Sequence, residues 1–268
     1  MTDTLDFALS LARKAGELIV HERKTATLSR EYKNGNELVT NVDLKADRLI
    51  CDAISQAYPD HFILSEESSP ELGNIQELDA SVWVIDPIDG TVNFAHGLGH
   101  SAISIAHVEN GNFEVGVVFN PFTNEMFSAR KGEGALLNGS AIEVAHESEL
   151  SRAIIATGFP YDKSAMEPLV KRLRVVLNNC ADIRRIGSAA LDICYLAAGR
   201  LDGYYESLSI WDHAAAQLIA KEAGAKYGHF SDVPDGVDPQ FHNEEILISN
   251  PGLYPKLLSL LQSAAASE

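Results

Sequence analysis

The sequence contains few cysteines, few basic residues and no long apolar run, and each scarcity excludes a class of protein. Its three cysteines, Cys51, Cys180 and Cys194, form no CxxC spacing, which predicts reduced core thiols and not a disulfide framework. The 21 lysines and arginines face 38 aspartates and glutamates, a net charge of −17 that would repel nucleic acid and anionic membranes. No stretch approaches the ~18 apolar residues of a membrane-spanning helix, and the N-terminus lacks the basic segment of a signal peptide. We therefore expect a cytoplasmic protein that binds neither nucleic acid nor membranes.

What is present is the composition of a globular enzyme, with 46% hydrophobic and 22% charged residues in a chain long enough to bury a large core. The negative charge still permits a small anionic substrate. Such a substrate needs metal ions or a local basic group to reverse the electrostatic field inside one cleft.

Hydrophobic spacing predicts two helices and a series of strands in the first 150 residues. The helices cover 4–22 and 42–58, and the Gly/Asn-rich segment between them predicts a hairpin or a loop. Strands are predicted at 62–64, 82–85, 101–108, 113–119, 126–129 and 135–137, with a tight hairpin turn at 109–112.

After residue 150, shorter strands alternate with helices. The strands are predicted at 153–156, 183–186, 203–205 and 245–248, and the helices at 164–178, 188–199, 211–224 and 252–264. We therefore predict an α/β (α+β) protein in two parts. Residues 1–150 form a half with a largely antiparallel sheet, and residues 151–268 form a smaller α/β half.

Acidic residues stand at three places where a predicted strand ends or a predicted helix begins. They are the pair Glu66 and Glu67, the pair Asp86 and Asp89, and Asp212. Carboxylates at the carboxyl ends of strands point into the crevice where α/β sheets bind ligands. Several of them together would repel one another unless hard cations such as Mg²⁺ neutralised them, and such ions also suit phosphate substrates.

Each acidic group also has a plainer interpretation. A Glu-Glu pair is typical of a solvated surface, Asp-Pro followed by Asp-Gly is typical of a turn, and Asp212 is typical of a helix N-cap. Spacing alone does not show that the three groups meet. The position of Asp86 favours a functional role, because it directly ends an apolar strand, where a solvated turn residue has no need to lie.

Six blocks of sequence resemble, in order, those of the inositol monophosphatase family of Mg²⁺-dependent, lithium-sensitive phosphatases. They are ELVTNVDLKAD (37–47), SEES (65–68), WVIDPIDGTVNFAHG (83–97), GEGALLNG (132–139), RRIGSAALDICYLAAGRLDGYYE (184–206) and WDHAAAQLIAKEAGA (211–225). The resemblance implies a layered α-β-α-β-α fold and a homodimer. It also implies two to three Mg²⁺ ions, inhibition by Li⁺ and a small phosphorylated substrate.

The resemblance also implies roles for individual residues. The metal ligands would be Glu66, Asp86, the carbonyl of Ile88, Asp89 and Asp212. Asp43 and Thr91 would orient and deprotonate the attacking water, with Glu66 and Lys33 assisting catalysis. From the residues alone, an N-cap of the 42–58 helix is the favoured interpretation of Asp43, and the resemblance reverses that preference. An exposed loop lysine explains Lys33 nearly as well as a catalytic role.

On the substrate side, the resemblance implies contacts from nine positions, some of which also hold the metal or the attacking water. These are Ile88, Asp89, Gly90 and Thr91 around the phosphate, and Gly187, Ser188, Ala189, Glu206 and Asp212 around the organic part. The implied reaction is hydrolysis of a phosphomonoester, with inositol 1-phosphate expected as the substrate. Histidinol phosphate, fructose 1,6-bisphosphate and a 3′-phosphonucleotide stay open as alternatives, as does a non-catalytic binding protein.

The chain departs from the family pattern at a few positions. Ser65 stands where glycine is usual, and alanines at 216 and 225 replace two glycines of the second signature. The segment from Glu206 to Asp212 is one residue shorter than usual. Because this segment borders the organic half of the substrate, the substrate is the least determined part of the prediction.

Overall fold

The computed structural model describes residues 3–25, 27–33, 37–69, 75, 80–160, 163 and 166–265. The described part of the first half begins with helix α1 (Thr4–Thr25), the paired strands β1 (Arg30–Lys33) and β2 (Glu37–Thr40), and helix α2 (Asn41–Ala57). A sheet of seven strands follows, interrupted by the short helix α3 (Thr91–His96). Its strands are β3 (Phe62–Ser65), β4 (Ser81–Asp89), β5 (Ala102–Glu109), β6 (Asn112–Asn120), β7 (Glu125–Arg130), β8 (Ala135–Leu137) and β9 (Ser140–Ile142).

The second half contains a sheet of five strands and four α-helices among the residues described. The strands are β10 (Ile154–Thr157), β11 (Asp182–Arg184), β12 (Gly203–Glu206), β13 (Lys226–His229) and β14 (Ile246–Ser249). The helices are α4 (Met166–Leu177), α5 (Ala189–Ala197), α6 (Ile210–Glu222) and α7 (Tyr254–Ala265).

The two sheets have different topologies. The seven strands pair in chain order from β3 to β9, and every pair is antiparallel except β3 with β4. The five-stranded sheet has the order β11-β10-β12-β14-β13, with parallel pairing in its first half and antiparallel pairing in the rest. The expectation of a largely antiparallel first sheet and a smaller α/β second part is therefore confirmed.

Helices cover both sheets, which produces five layers. Helices α1 and α2 pack on one face of the seven-stranded sheet, and α5 and α6 fill the space between the two sheets. Helices α4 and α7 cover the outer face of the five-stranded sheet. Strand β4 is buried on both faces for this reason: Trp83 faces α1 and α2, while Val82 and Val84 face the inner helices. The predicted α-β-α-β-α arrangement is confirmed.

Most predicted elements lie within a few residues of their predicted bounds, but two strands were missed. Strands β9 and β13 are short, at Ser140–Ile142 and Lys226–His229, and neither contains a buried residue. Strand β4 extends to Asp89, beyond the predicted end at 85. The three cysteines are unpaired thiols, and no helix among the described residues is both long and apolar enough to cross a membrane.

Candidate active site

A β-bulge at the end of β4 places two aspartates on the same face of the sheet. The pairing register of β4 with β5 shifts between Asp86 and Asp89, so β4 contains an extra residue there. In a regular strand, residues three apart point to opposite faces. Here Ile85 and Ile88 both pack in the core beneath α1 and α2. Asp86 and Asp89 therefore both point away from that core, toward the start of α6.

Asp212, in the first turn of α6, completes a cluster of three carboxylates. One carboxylate oxygen from each of Asp86, Asp89 and Asp212 lies within 4.8 Å of the others. Burial raises the pKa of Asp86 well above its usual range, and the neighbouring carboxylates, Glu66 first among them, raise it further. The pKa of Asp212 is raised by burial and by the carboxylates of Asp89, Glu66 and Glu206. A buried cluster of this charge needs protons or a cation, and its oxygen-only donor set suits a hard divalent metal.

Asp89 is held by the N-terminus of α5. The Ser188 hydroxyl and the Ala190 amide (2.8 Å) both donate hydrogen bonds to Asp89 Oδ2. Burial raises the pKa of Asp89, and these hydrogen bonds oppose the rise. Ser188 is also the N-cap of α5, where its oxygen accepts a bond from a backbone amide of the first turn. The sequence predicted that positions 187–189 face the substrate, but it did not indicate their contact with Asp89.

Thr91 and Asp43 form a second polar unit beside the carboxylate cluster. The Thr91 hydroxyl lies 3.0 Å from Asp43 Oδ1 and 3.1 Å from the carbonyl oxygen of Ile88, and it can donate to either. Asp43 is buried, and burial raises the pKa of its carboxyl against the hydrogen bonds from Thr40 and Thr91. The predicted pairing of Asp43 with Thr91 is therefore present in the structure.

Neither Asp43 nor Asp212 is an N-cap, so that plainer interpretation of both residues is wrong. The N-caps are Thr40 for α2 and Ser209 for α6, and each aspartate lies three residues later as the acidic partner of a capping box. Asp43 Oδ2 accepts a bond from the Thr40 amide (3.0 Å), and Asp212 Oδ2 accepts one from the Ser209 amide (2.8 Å). Each capping box holds one carboxylate oxygen.

Gly90 connects β4 to α3 in a left-handed conformation with φ of +89°, which favours glycine. A β-carbon at this position would lie 2.9 Å from the carbonyl oxygen of His100 and 3.0 Å from that of Gly187. Three backbone segments therefore approach closely here. Helix α3 begins at Thr91 and is only 6 residues long.

These groups open into one cleft with a volume of about 480 Å³. The predicted residues that line it are Glu66, Asp86, Ile88, Asp89, Gly90, Thr91, Glu206 and Asp212. An adjoining cavity of about 100 Å³ is lined by the predicted residues Gly187, Ser188 and Ala189, and by Arg185. Asp43 is buried behind Thr91, and the side chain of Lys33 lies outside the described residues.

Glu206 ends β12 at the junction of the cleft and the smaller cavity. Burial raises the pKa of Glu206 to about 7, although the Tyr204 hydroxyl donates a hydrogen bond to it and the Arg185 charge opposes the rise. Gly158 leaves room for this carboxylate, because a β-carbon there would clash with Glu206 Oε2. Asp192, which the motifs did not single out, lines the same small cavity, and burial raises its pKa to about 8.

Other lining residues were not predicted individually, although the segment from Glu206 to Asp212 was expected to border the substrate. They are Glu37, Phe159, Pro160, Ser207, Leu208, Ser209, Trp211, Asn243 and Glu244. The pair at 159–160 follows the parallel strand β10, so the rule that ligands bind at carboxyl ends of strands could have found it. No comparable signal marks Asn243 and Glu244, which lie in the long connection between β13 and β14.

The unusual Ser65 makes a contact that glycine could not make. Its hydroxyl donates a hydrogen bond to Asp47 of α2, and both residues are buried. Ser65 therefore connects the end of β3 to α2 by a hydrogen bond, and the next residue, Glu66, still lines the cleft.

Comparisons with known proteins agree over the whole chain. The family model described as "Inositol monophosphatase family" matches residues 1–266. The chain is 38% identical to "Nus factor SuhB" of Pasteurella multocida, over 100% of this chain and 99% of that protein. It is 45% identical to the protein of the same name from Vibrio cholerae, over 84% of each. The solved structure of the Thermotoga maritima IMPase is 35% identical, with a TM-score of 0.86 and 98% of both chains covered.

Sequence, fold and the arrangement of carboxylates thus lead to the same assignment. The family model covers nearly the full length, and the structural match covers both sheets. These findings support a phosphatase with a divalent-metal site, and they show that this chain belongs to the inositol monophosphatase family.

Proposed function

We propose that this protein is a Mg²⁺-dependent phosphomonoesterase whose substrate is inositol 1-phosphate. The observation that carries the proposal is the cluster of Asp86, Asp89 and Asp212, with carboxylate oxygens within 4.8 Å of one another, beside the Thr91–Asp43 pair. A structural role for three carboxylates so close together, two of them buried, is disfavoured, because their mutual repulsion destabilises the fold. A cation that neutralises them would also neutralise a phosphate in the same cleft.

The residues fit a Mg²⁺ site. The donors are all oxygen atoms, as Mg²⁺ prefers. Burial, and after it the neighbouring carboxylates, raise the pKa values of Asp86 and Asp212, so a cation would favour the ionised form of both. We assign the metal-holding role to the side chains of Glu66, Asp86, Asp89 and Asp212 and to the carbonyl of Ile88. When bound, Mg²⁺ would neutralise charge on the phosphoryl oxygens and increase the acidity of water.

The chain's own groups position the reactants. The Thr91 hydroxyl lies between Asp43 Oδ1 and the Ile88 carbonyl. It would take a proton from the attacking water as it passes its own proton to Asp43, so that the hydroxyl is restored and the proton ends on Asp43. Backbone amides of Gly90 and Thr91 would bind the phosphate, and Lys33 would add positive charge. The start of α5 at 187–189 and the carboxylate of Glu206 would contact the alcohol part of the substrate.

The same chemistry constrains the leaving group weakly. Histidinol phosphate, fructose 1,6-bisphosphate and a 3′-phosphonucleotide are the alternative substrates. The non-catalytic alternative is disfavoured because Glu66, Asp86, Asp89, Thr91 and Asp212 are all present and all line one cleft. We further propose a cytoplasmic homodimer inhibited by Li⁺, on the family resemblance. That nucleic acid is no partner stays an expectation from the net charge.

Phosphate release tests the proposal. The purified protein with Mg²⁺ should release phosphate from inositol 1-phosphate with a higher kcat/KM than from the three alternatives. Asp89→Asn, which keeps the shape of the side chain but replaces a charged metal ligand with a neutral one, should lower turnover by about 100-fold or more. Asp232→Asn, the same change at an exposed loop position, is the control. Wild-type turnover by Asp89→Asn would refute the metal-holding role, and no release from any phosphomonoester would refute hydrolysis.

A further inference from the structure

We propose that Asn243 is a substrate-binding residue whose side-chain amide donates a hydrogen bond to a hydroxyl of the leaving group. We infer also that the buried side chains His213 and Gln217 fix the orientation of this amide. The inference rests on the proposed function and extends it. It assigns part of the substrate specificity to the connection between β13 and β14, which contains none of the motifs that mark the rest of the site.

Asn243 lies on the wall of the cleft next to the shortened segment between Glu206 and Asp212. Two backbone contacts join this segment to the β13–β14 connection. The Leu208 amide donates to the carbonyl oxygen of Asn243 (2.8 Å), and the Glu245 amide donates to the Ser207 hydroxyl (3.0 Å). The two segments therefore form one continuous wall on the organic side of the cleft.

A chain of buried side chains determines which end of the Asn243 amide faces the cleft. Gln217 Nε2 lies 3.0 Å from the carbonyl oxygen of Gln240, so this atom must be the amino group, because two carbonyl oxygens would repel each other. The same amino group lies 3.2 Å from His213 Nδ1 and donates to it. Nδ1 therefore has no proton, and the proton of the neutral ring is on Nε2.

His213 Nε2 lies 3.0 Å from Asn243 Oδ1, and its proton is donated to that oxygen. With the oxygen bound to His213, the NH₂ group is the part of the Asn243 amide that is left for the cleft. His213 and Gln217 have no exposed surface. A reversed amide would place two donors against each other where no water can compensate, so a single orientation is strongly favoured.

The wall then offers both kinds of hydrogen-bonding partner to a polyhydroxyl alcohol. Asn243 supplies a donor, and Glu206 supplies an acceptor at the other end of the shortened segment. Glu244 lines the same cleft. Two carboxylates on this side would repel a second phosphate group, so a monophosphate with a neutral, hydroxyl-rich leaving group is favoured over a bisphosphate.

The test compares two substrates that differ in whether the leaving group can form hydrogen bonds with the protein. Inositol 1-phosphate has hydroxyls on its leaving group, whereas phenyl phosphate has a leaving group without a hydrogen-bonding substituent. Asn243→Ala should lower kcat/KM for inositol 1-phosphate by about three- to tenfold, mainly through KM, because one neutral hydrogen bond is lost. For phenyl phosphate, kcat/KM should stay within about twofold. Asn243→Ser, which removes the amide but keeps an oxygen near His213, should show the same selective loss if Asn243→Ala does not fold.

Two further variants sharpen the result. Gln217→Met should cause a smaller selective loss, because it leaves the His213 proton free to occupy either nitrogen and so loosens the Asn243 amide. Asp235→Ala, at an exposed position of the same connection, should leave kcat/KM unchanged for both substrates. Equal losses of kcat/KM for both substrates would mean that Asn243 only supports the fold, and wild-type kcat/KM for both would mean that it makes no substrate contact. Either result overturns the inference while wild-type hydrolysis stands. Absence of wild-type hydrolysis would refute the proposed function, and this inference with it.

Discussion

Replacing Asp86 with asparagine should stabilise the metal-free protein while removing its activity. In the cluster, Asp86 faces carboxylate oxygens of Asp89 and Asp212 within 4.8 Å. The change is nearly isosteric, and the asparagine oxygen can still accept the bond that the Ile88 amide (3.0 Å) now donates to Asp86 Oδ1. What it removes is one buried negative charge.

The magnitude follows from the separation. Two unit charges 4.8 Å apart repel by about 3.5 kcal/mol at an effective dielectric constant of roughly 20. Protonation of the cluster relieves part of this repulsion, so we count one ionised pair and expect a gain of about 3 kcal/mol in the free energy of unfolding at pH 8. For a chain of this size, that gain corresponds to an increase in Tm of about 6–12 °C.

The pH dependence has a definite sign. The pKa of Asp86 is raised in the folded protein above its usual value of 3.8, so ionisation destabilises the fold at every pH above that value. The advantage of Asp86→Asn should therefore be largest at alkaline pH and should disappear as the pH falls toward about 4. With saturating Mg²⁺ the order should reverse, because the wild-type site binds the cation more tightly and gains more stability from it.

Thermal unfolding in the presence of a chelator, at several values of pH between about 4 and 8, measures this effect. Asp232→Asn provides the control for loss of an exposed charge. If metal-free Asp86→Asn melts at or below the wild-type temperature at pH 8, the carboxylates do not repel one another as the geometry requires. The electrostatic argument for a cation site would then fail.

Two further predictions concern the reaction. Thr91→Ala should reduce kcat by about 100-fold at saturating Mg²⁺, because the attacking water loses the hydroxyl that is hydrogen-bonded to Asp43. Thr91→Ser keeps a hydroxyl and should retain most of the wild-type kcat, so equal activity of the alanine and serine variants would contradict the role of the hydroxyl. Glu206 has its pKa raised to about 7, so it loses its charge as the pH falls through that value. The kcat/KM ratio of inositol 1-phosphate to phenyl phosphate should therefore decrease below about pH 7 in the wild type, and this dependence should be absent in Glu206→Gln.

The sequence could indicate which residues belong to the site, but not how a strand places them there. Asp86 and Asp89 are three residues apart, and in a regular strand they would face opposite sides of the sheet. The bulge in β4 changes this, and it depends on pairing with β5, which is a long-range property. The bounds of helices such as α2 were predicted closely, because apolar spacing and capping are local features.

The residues that the sequence did not indicate are brought to the site by long-range strand pairing. Asn243 and Glu244 come to the cleft because β13 and β14 pair at the edge of the second sheet. Their place depends on contacts such as that between Leu208 and the Asn243 carbonyl, across a sequence separation that no local pattern records. A loop residue with no motif can be recognised as part of a site only when its neighbours in space are known.

The four aspartates of the site share one arrangement that explains how the fold can hold so much charge in place. In each, the fold binds one carboxylate oxygen and leaves the other for the site. Asp43 and Asp212 are held by capping boxes at the starts of α2 and α6, Asp89 by the start of α5, and Asp86 by the Ile88 amide. Three of these anchors are helix N-termini, whose partial positive charge favours carboxylates and offsets part of their repulsion. The arrangement orients the site before any ligand arrives, so binding energy need not be spent on ordering the aspartates. It follows that a substitution of Thr40, whose hydroxyl also donates a hydrogen bond to Asp43 Oδ2, acts on the site through that aspartate although Thr40 supplies no carboxylate.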